Sequence, residues 1–187
     1  MTKTTTNLKL LWRIIRRLGG VIAGVLAVSF LSGCLLTMPK PLLSARHVPD
    51  PPNLVGRYLD EKGQEVRVLG RDNTSNNTFV AYPPSKKNPI TMTVQHLDGL
   101  RYLIQAQPEG SVGVFLTVGE INLPKVTIYC YPVAVTEIVA LAKKREVTVN
   151  KEGLITEYKS ASGIINLFMD LFNVKDKESL VFIKQAK

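Results

Sequence analysis

Hydrophobic residues follow three rhythms along this chain. The first is an unbroken run. Residues 18–36 contain no charge, and Lys3, Lys9, Arg13, Arg16 and Arg17 precede them. The second is alternation. Residues 54–59 and 65–69, 90–96 and 100–107, and 111–118 alternate apolar with polar positions, as half-buried strands do. Three-residue connections ending in glycine separate them: Glu61-Lys62-Gly63, Leu97-Asp98-Gly99 and Pro108-Glu109-Gly110. That composition suits a type I turn followed by a left-handed glycine. The third rhythm is helical, and it appears near the C-terminus.

The alternation predicts a register. With Leu97-Asp98-Gly99 as the loop, His96 pairs Leu100, Val94 pairs Tyr102, Met92 pairs Ile104 and Ile90 pairs Ala106. The apolar residues of these pairs then fall on one face. A two-residue Asp-Gly loop mixes the faces, and face consistency selects three residues. The next hairpin extends that face with Ala106/Val112, Ile104/Val114, Tyr102/Leu116 and Leu100/Val118. Leu103 and Phe115 pair on the outer face, where Tyr129 and Tyr131 also point. Residues 78–82 and 125–131 supply further strands.

Residues 136–144 carry Ile138, Leu141 and Ala142 on one stripe, with Lys143, Lys144 and Arg145 at the carboxyl end, where cations suit the helix dipole. Residues 147–149 and 154–158 form a hairpin about Lys151-Glu152-Gly153. Ser162 caps a helix over residues 163–172, with Ile164, Leu167, Phe168 and Leu171 at i, i+3, i+4 and i+7. Ile165, Met169 and Phe172 make it apolar almost all round, which calls for burial by default, and otherwise for a membrane or a partner. A polar loop and a strand over residues 180–184 close the chain. The fold expected is mainly β (α+β): an antiparallel meander sheet, curled or half-closed into a barrel, with two C-terminal helices. The two helices cover the outer apolar cluster.

The uncharged run ends in Leu31-Ser32-Gly33-Cys34. A basic start, an apolar stretch and small residues before a cut mark an export signal. The four residues resemble the lipobox of bacterial lipoprotein precursors at every position. The resemblance covers residues 1–34 only, and the family of the remaining domain is not recognised. It implies cleavage before Cys34, diacylglycerol on the Cys34 sulfur and acylation of the new amino terminus. Three chains, each worth about 0.8 kcal/mol per buried CH2, anchor a protein stably. Leu35, rather than aspartate, follows the cysteine. In a two-membrane bacterium the resemblance then implies the periplasmic face of the outer membrane. The alternative is an uncleaved signal anchor in the inner membrane, since residues 18–36 are long enough to span a bilayer and the upstream cations fit.

Three segments follow from this: a signal peptide (1–33), a lipidated cysteine with a proline-rich tether (34–53), and a single periplasmic domain (54–187). The tether holds Pro39, Pro41, Pro49, Pro51 and Pro52. Extended at about 3.1 Å per residue, it lifts the domain by up to roughly 50 Å. His47 lies in it, exposed to solvent. The five signal cations have no matching acid, so residues 34–187 hold 19 Lys+Arg against 15 Asp+Glu, a net charge of +4. The basic character belongs partly to the signal, and nucleic acid is not an expected partner.

With Cys34 lipidated, Cys130 has no partner in the chain. Alternation sets it with Val126 and Ile128, as a small core residue. There is no Gly-x-Ser-x-Gly, phosphate-binding glycine loop, paired-cysteine zinc spacing or His-Glu-x-x-His. No catalytic residue, cofactor or metal ligand is assigned. Acids sit singly at hairpin tips (Asp60, Glu61, Asp98, Glu109, Glu152), as solvated turn residues. Asn73-Thr74-Ser75 and Asn76-Asn77-Thr78 read as a polar loop, as do Lys86 and Lys87. His96, on the inner face near Tyr102, is the one candidate pocket rim; its plainer role is a hydrogen bond to backbone or tyrosine.

The function expected is non-enzymatic: a lipid-anchored interaction or envelope-maintenance module with an envelope protein partner. Two alternatives remain. A barrel could hold a small apolar ligand, which a pocket of roughly 300 Å3 or more near His96 would favour. An envelope hydrolase would need a cluster of perturbed titratable groups.

Overall fold

The computed structural model describes residues 36–70, 75–83, 88–130, 135–150, 153–174 and 178–186. Eight strands close a barrel: β2 (Gly56–Asp60), β3 (Glu65–Gly70), β4 (Thr78–Tyr82), β5 (Ile90–Asp98), β6 (Arg101–Pro108), β7 (Val114–Asn122), β8 (Lys125–Cys130) and β11 (Glu178–Lys184). Each pairs antiparallel with its neighbours in the order β7-β6-β5-β4-β3-β2-β11-β8, and β8 returns to β7. Closure removes the free edges that an open sheet would leave to other chains. Along its other half, β7 takes β1 (Leu36–Met38), with Leu36 opposite Leu116 and Met38 opposite Val114.

Between β8 and β11 the chain leaves the barrel. It forms α1 (Val135–Lys144), the hairpin of β9 (Val147–Val149) and β10 (Ile155–Tyr158), and α2 (Ala161–Phe172). This layer packs on the outside of β6, β7 and β1. There are therefore two cores. Inside the barrel lie Leu54, Tyr58, Val68, Phe79, Ala81, Val94, Ile104, Ile121 and Val126. Outside it, Leu36, Met38, Leu103, Val114, Leu116 and Val118 meet Ile138, Val147, Ile155, Ile164, Leu167, Phe168 and Leu171. The α2 stripe is wholly buried, and each such side chain contributes about 1.5–3 kcal/mol. The all-round apolar helix is thus a packed helix, with Ile165 and Phe172 partly buried against the same core.

Two glycine turns form as expected. Asp60 N–H donates to Gln64 O at 3.0 Å around residues 61–63, and Asn150 N–H donates to Leu154 O at 2.9 Å. Gly63 and Gly153 adopt φ of 72° and 78°, where a side chain would be strained.

The other two hairpins differ. β5 pairs β6 two residues further along, with His96 opposite Tyr102, Val94 opposite Ile104 and Met92 opposite Ala106. The tight turn is Gly99-Leu100, with Gly99 at φ 48°, and the pairing skips Leu97 between His96 and Asp98. A bulge takes up one residue and the shorter loop another, so the shift is even and the faces are kept. β6 with β7 is a true correction. Ala106 pairs Phe115, Ile104 pairs Thr117 and Leu103 pairs Val118. The shift of three exchanges the faces, so Val114, Leu116 and Val118 join Leu103 outside. The connection is longer than three residues because Pro108 still pairs Ile90 on β5. Both parities of β7 are apolar enough to look like a core face.

The α2 cap is Ser160, not Ser162. The Ser160 hydroxyl accepts from Gly163 N–H at 3.1 Å, and Ser162 bonds the Ser160 hydroxyl instead. The segment read as an extended tether is bound to the sheet. After β1, Leu43 is buried. Gln105 Oε1 accepts from Leu42 N–H at 2.7 Å and Leu43 N–H at 2.8 Å, and Gln105 Nε2 donates to Leu43 O at 3.2 Å. Asn77 Oδ1 accepts from Arg46 N–H, and Asn76 exchanges two bonds with Val48. The prolines leave few backbone donors, and these amide side chains serve those that remain. The segment is a strap crossing the outer wall from β7 to β4.

Candidate functional site

The strap, the barrel and the β5–β6 tip enclose one cleft. Val94 and Tyr102 come from the inner face of β5 and β6. Gln95 and His96 end β5, and Arg46, Val48, Pro49, Asp50 and Pro52 come from the strap. The volume is about 520 Å3. The two residues singled out in the sequence, His96 and Tyr102, therefore share this cleft and are cross-strand partners. Their rings stand edge to face, with centroids 5.1 Å apart.

His96 is exposed. Its Nε2 lies 3.0 Å from Gly99 O. A carbonyl only accepts, so Nε2 carries the proton and Nδ1 is left for another donor. The ring thus makes the backbone and tyrosine contacts of its plainer role while standing at a cleft mouth. A second concavity, of about 380 Å3, lies between α1 and β9 and includes Val139, Lys143 and Thr148.

The floor of the barrel is shut beside the cleft. Leu54 is buried in the inner core, and its carbonyl accepts from the Tyr58 hydroxyl at 3.0 Å. Burial pushes the Tyr58 hydroxyl up to about 12. Tyr129, on the outer wall, is also pushed up to about 12, first by burial and then by its hydrogen bond to Glu120 at 2.7 Å. The Tyr129 ring meets Phe172 edge to face, and the Arg101 guanidinium lies 4.9 Å over the Phe172 ring. Arg101 is in turn paired with Asp98. This set fastens the end of α2 to the wall. In the same last turn of α2, Asp170 is gripped by Arg145 through two bonds of 2.7 and 2.8 Å.

Among the described residues, no three His, Cys, Asp or Glu gather as a metal site would require. No known protein family, curated protein or solved structure matches the chain.

Cys34 and the signal segment lie outside the described residues, as do Asn73, Thr74, Lys86, Lys87 and Glu152. The Cys130 side chain does too, although its backbone ends β8 opposite Glu178. His47 is exposed in the strap. No helix among the described residues is long and apolar enough to cross a membrane. Asp60 serves its turn, its Oδ1 accepting from Lys62 N–H and Gln64 N–H. The sequence reading missed Gln105, Asn76 and Asn77. Gln105, on the same strand face as Leu103, was the available signal, because a buried amide must have backbone to bind.

Proposed function

We propose that this protein is a lipid-anchored envelope domain, held by acyl chains on Cys34 at the periplasmic face of the outer membrane. It acts there as a non-enzymatic interaction or envelope-maintenance module. The observation that carries the module reading is the filling of the barrel. Its own side chains occupy the centre, as small eight-stranded barrels allow, so recognition falls to the outer surface. The lipobox-like Leu-Ser-Gly-Cys supports the anchor.

The test is the intact mass of membrane-extracted protein beside a Cys34→Ala variant, followed by cross-linking in whole cells. The reading expects residues 34–187 plus three acyl chains, lost in the variant, and reproducible cross-links to an envelope protein. An unmodified full-length mass rejects the lipid anchor and returns the inner-membrane signal anchor.

A second reading has its own observation. The cleft at His96 and Tyr102 exceeds the roughly 300 Å3 that small ligands need, which favours a small apolar ligand held under the strap. Native mass spectrometry of detergent-extracted protein decides it. A retained small molecule, lost on Tyr102→Ala, supports this reading, and none in either protein rejects it.

A further inference from the structure

We infer that the groove between α1 and β9 receives an extended peptide carrying an acidic group, added as a third strand beside β9 and β10. The inference rests on the reading of the domain as an interaction module, and it names where the partner docks.

β9 has one strand neighbour, β10. Asn150 N–H donates to Leu154 O, and Glu146 O accepts from Lys159 N–H. Residues 146 and 150 thus turn main-chain groups toward β10. By alternation so does Thr148, which pairs Glu157 beside a bulge in β10. Val147 and Val149 then point an N–H and a C=O each the other way. These four groups meet no partner among the described residues. Buried main-chain groups are nearly always paired, and Val147 and Val149 are only 4% and 7% exposed.

The groove runs along that edge. Val147, Thr148 and Val149 all line it, together with Val139, Lys143 and Glu146. Successive side chains of a strand point to opposite faces, so a surface that meets three residues in a row meets the edge. The space there is about 380 Å3. On α1, Val139 stands one turn from Lys143 and is exposed, an apolar contact for an inserted side chain.

Charge narrows the chemistry. Lys143 is exposed and makes no ion pair among the described residues. Glu146 is engaged by Lys159 at 2.8 Å. Glu137 sits in the first turn of α1, off the stripe of Val139 and Lys143. Glu157 belongs to β10, the far strand. The groove therefore offers a cation beside open main-chain donors and acceptors. An extended segment with a carboxylate matches both, since strand addition draws affinity from main-chain bonds and specificity from side chains.

The test pans a phage-displayed library of random heptapeptides on full-length protein in detergent, and the enriched peptide is synthesised. Hydrogen exchange at the Val147 and Val149 amides is read in the parent, alone and saturated with that peptide. The inference expects both amides to exchange at least about tenfold more slowly with peptide bound, and the peptide to carry Asp or Glu. Val149→Pro removes an outward N–H and no bond to β10, as edge prolines do, and circular dichroism verifies its fold. It should bind the peptide at least about tenfold more weakly. Lys143→Glu, a change on the exposed helix face, should bind about threefold more weakly; with the parent's exchange it carries the test if Val149→Pro does not fold. No enriched peptide, binding that leaves the two amides unprotected, or an enriched peptide without an acid overturns the inference. Protection that grows with protein concentration in the absence of peptide puts a second copy on the edge and overturns it too. Cross-linking in whole cells keeps the two readings apart. Cross-links to an envelope protein that persist in Val149→Pro leave the module standing and reject this site, whereas a parent that gives none rejects the module reading itself.

Discussion

Replacing Gln105 by methionine tests whether the strap is truly part of the domain. Gln105 is 5% exposed, and its amide makes three hydrogen bonds to the strap backbone at Leu42 and Leu43. Methionine keeps the length and volume of the side chain, so little packing is lost. What goes is the acceptor for two N–H groups and the donor for one carbonyl. Each such bond contributes about 0.5–1.5 kcal/mol net, and a buried donor left without a partner costs about 1–3 kcal/mol. The Leu43 N–H is the buried one, while Leu42 is only part-buried and can turn to water. The expected loss is therefore about 3 kcal/mol. For a domain of this size that is about 8 °C in Tm, and about 1.5 M in the urea midpoint. The assay is equilibrium urea unfolding, with hydrogen exchange at the Leu42 and Leu43 amides. Gln107→Met is the control, since Gln107 makes a single long bond to Ser111 O at 3.4 Å; it should change stability by less than about 0.5 kcal/mol. A loss below about 1 kcal/mol for Gln105→Met, with both strap amides still protected, would refute the reasoning.

Three further outcomes are expected. Gly119→Ala should destabilise strongly, because a Cβ there would stand 2.9 Å from Thr127 O and 2.6 Å from Ile104 Cδ1; an unchanged melting temperature would show that the β7–β8 seam can spread. Stability should fall as pH rises from about 10 to about 12. The Tyr58 and Tyr129 hydroxyls are held protonated up to about 12 in the fold, against about 10 in the unfolded chain, so their contribution is complete below 10 and lost through that window. Ultraviolet titration should show two late tyrosines, one of them missing in Tyr129→Phe. At acid pH the sign is opposite. The Arg145 guanidinium holds the Asp170 carboxyl below its usual range, so its stabilisation is present above that range and lost as pH falls through the folded value. Asp170→Asn should flatten the acid limb of the urea midpoint, and an unaltered limb would show that the pair contributes nothing.

Local chemistry was readable wherever it is complete within a few residues. The glycine turns at Gly63 and Gly153, the strand at Thr78–Tyr82 and the buried stripe of α2 all follow from spacing alone. Tertiary structure decided the rest. Whether Val114, Leu116 and Val118 of β7 face the inside of the barrel or the outside depends on the length of the connection after Pro108. β7 carries apolar residues on both faces, because Ile121 lines the barrel while Leu116 and Val118 lie under the outer layer. The strap read as a solvated tether, since its prolines lack donors and nothing near them in sequence supplies acceptors. Its partners, Gln105, Asn76 and Asn77, lie 28–63 residues away. His96 and Tyr102 were visible as neighbours from alternation, because an even shift in register leaves faces intact. The cleft they share was not, because the strap that forms its other wall is brought there by contacts distant in sequence. Sequence thus fixes what periodicity and short range enforce, and the closing of a barrel over two cores fixes what long-range hydrogen bonds must choose.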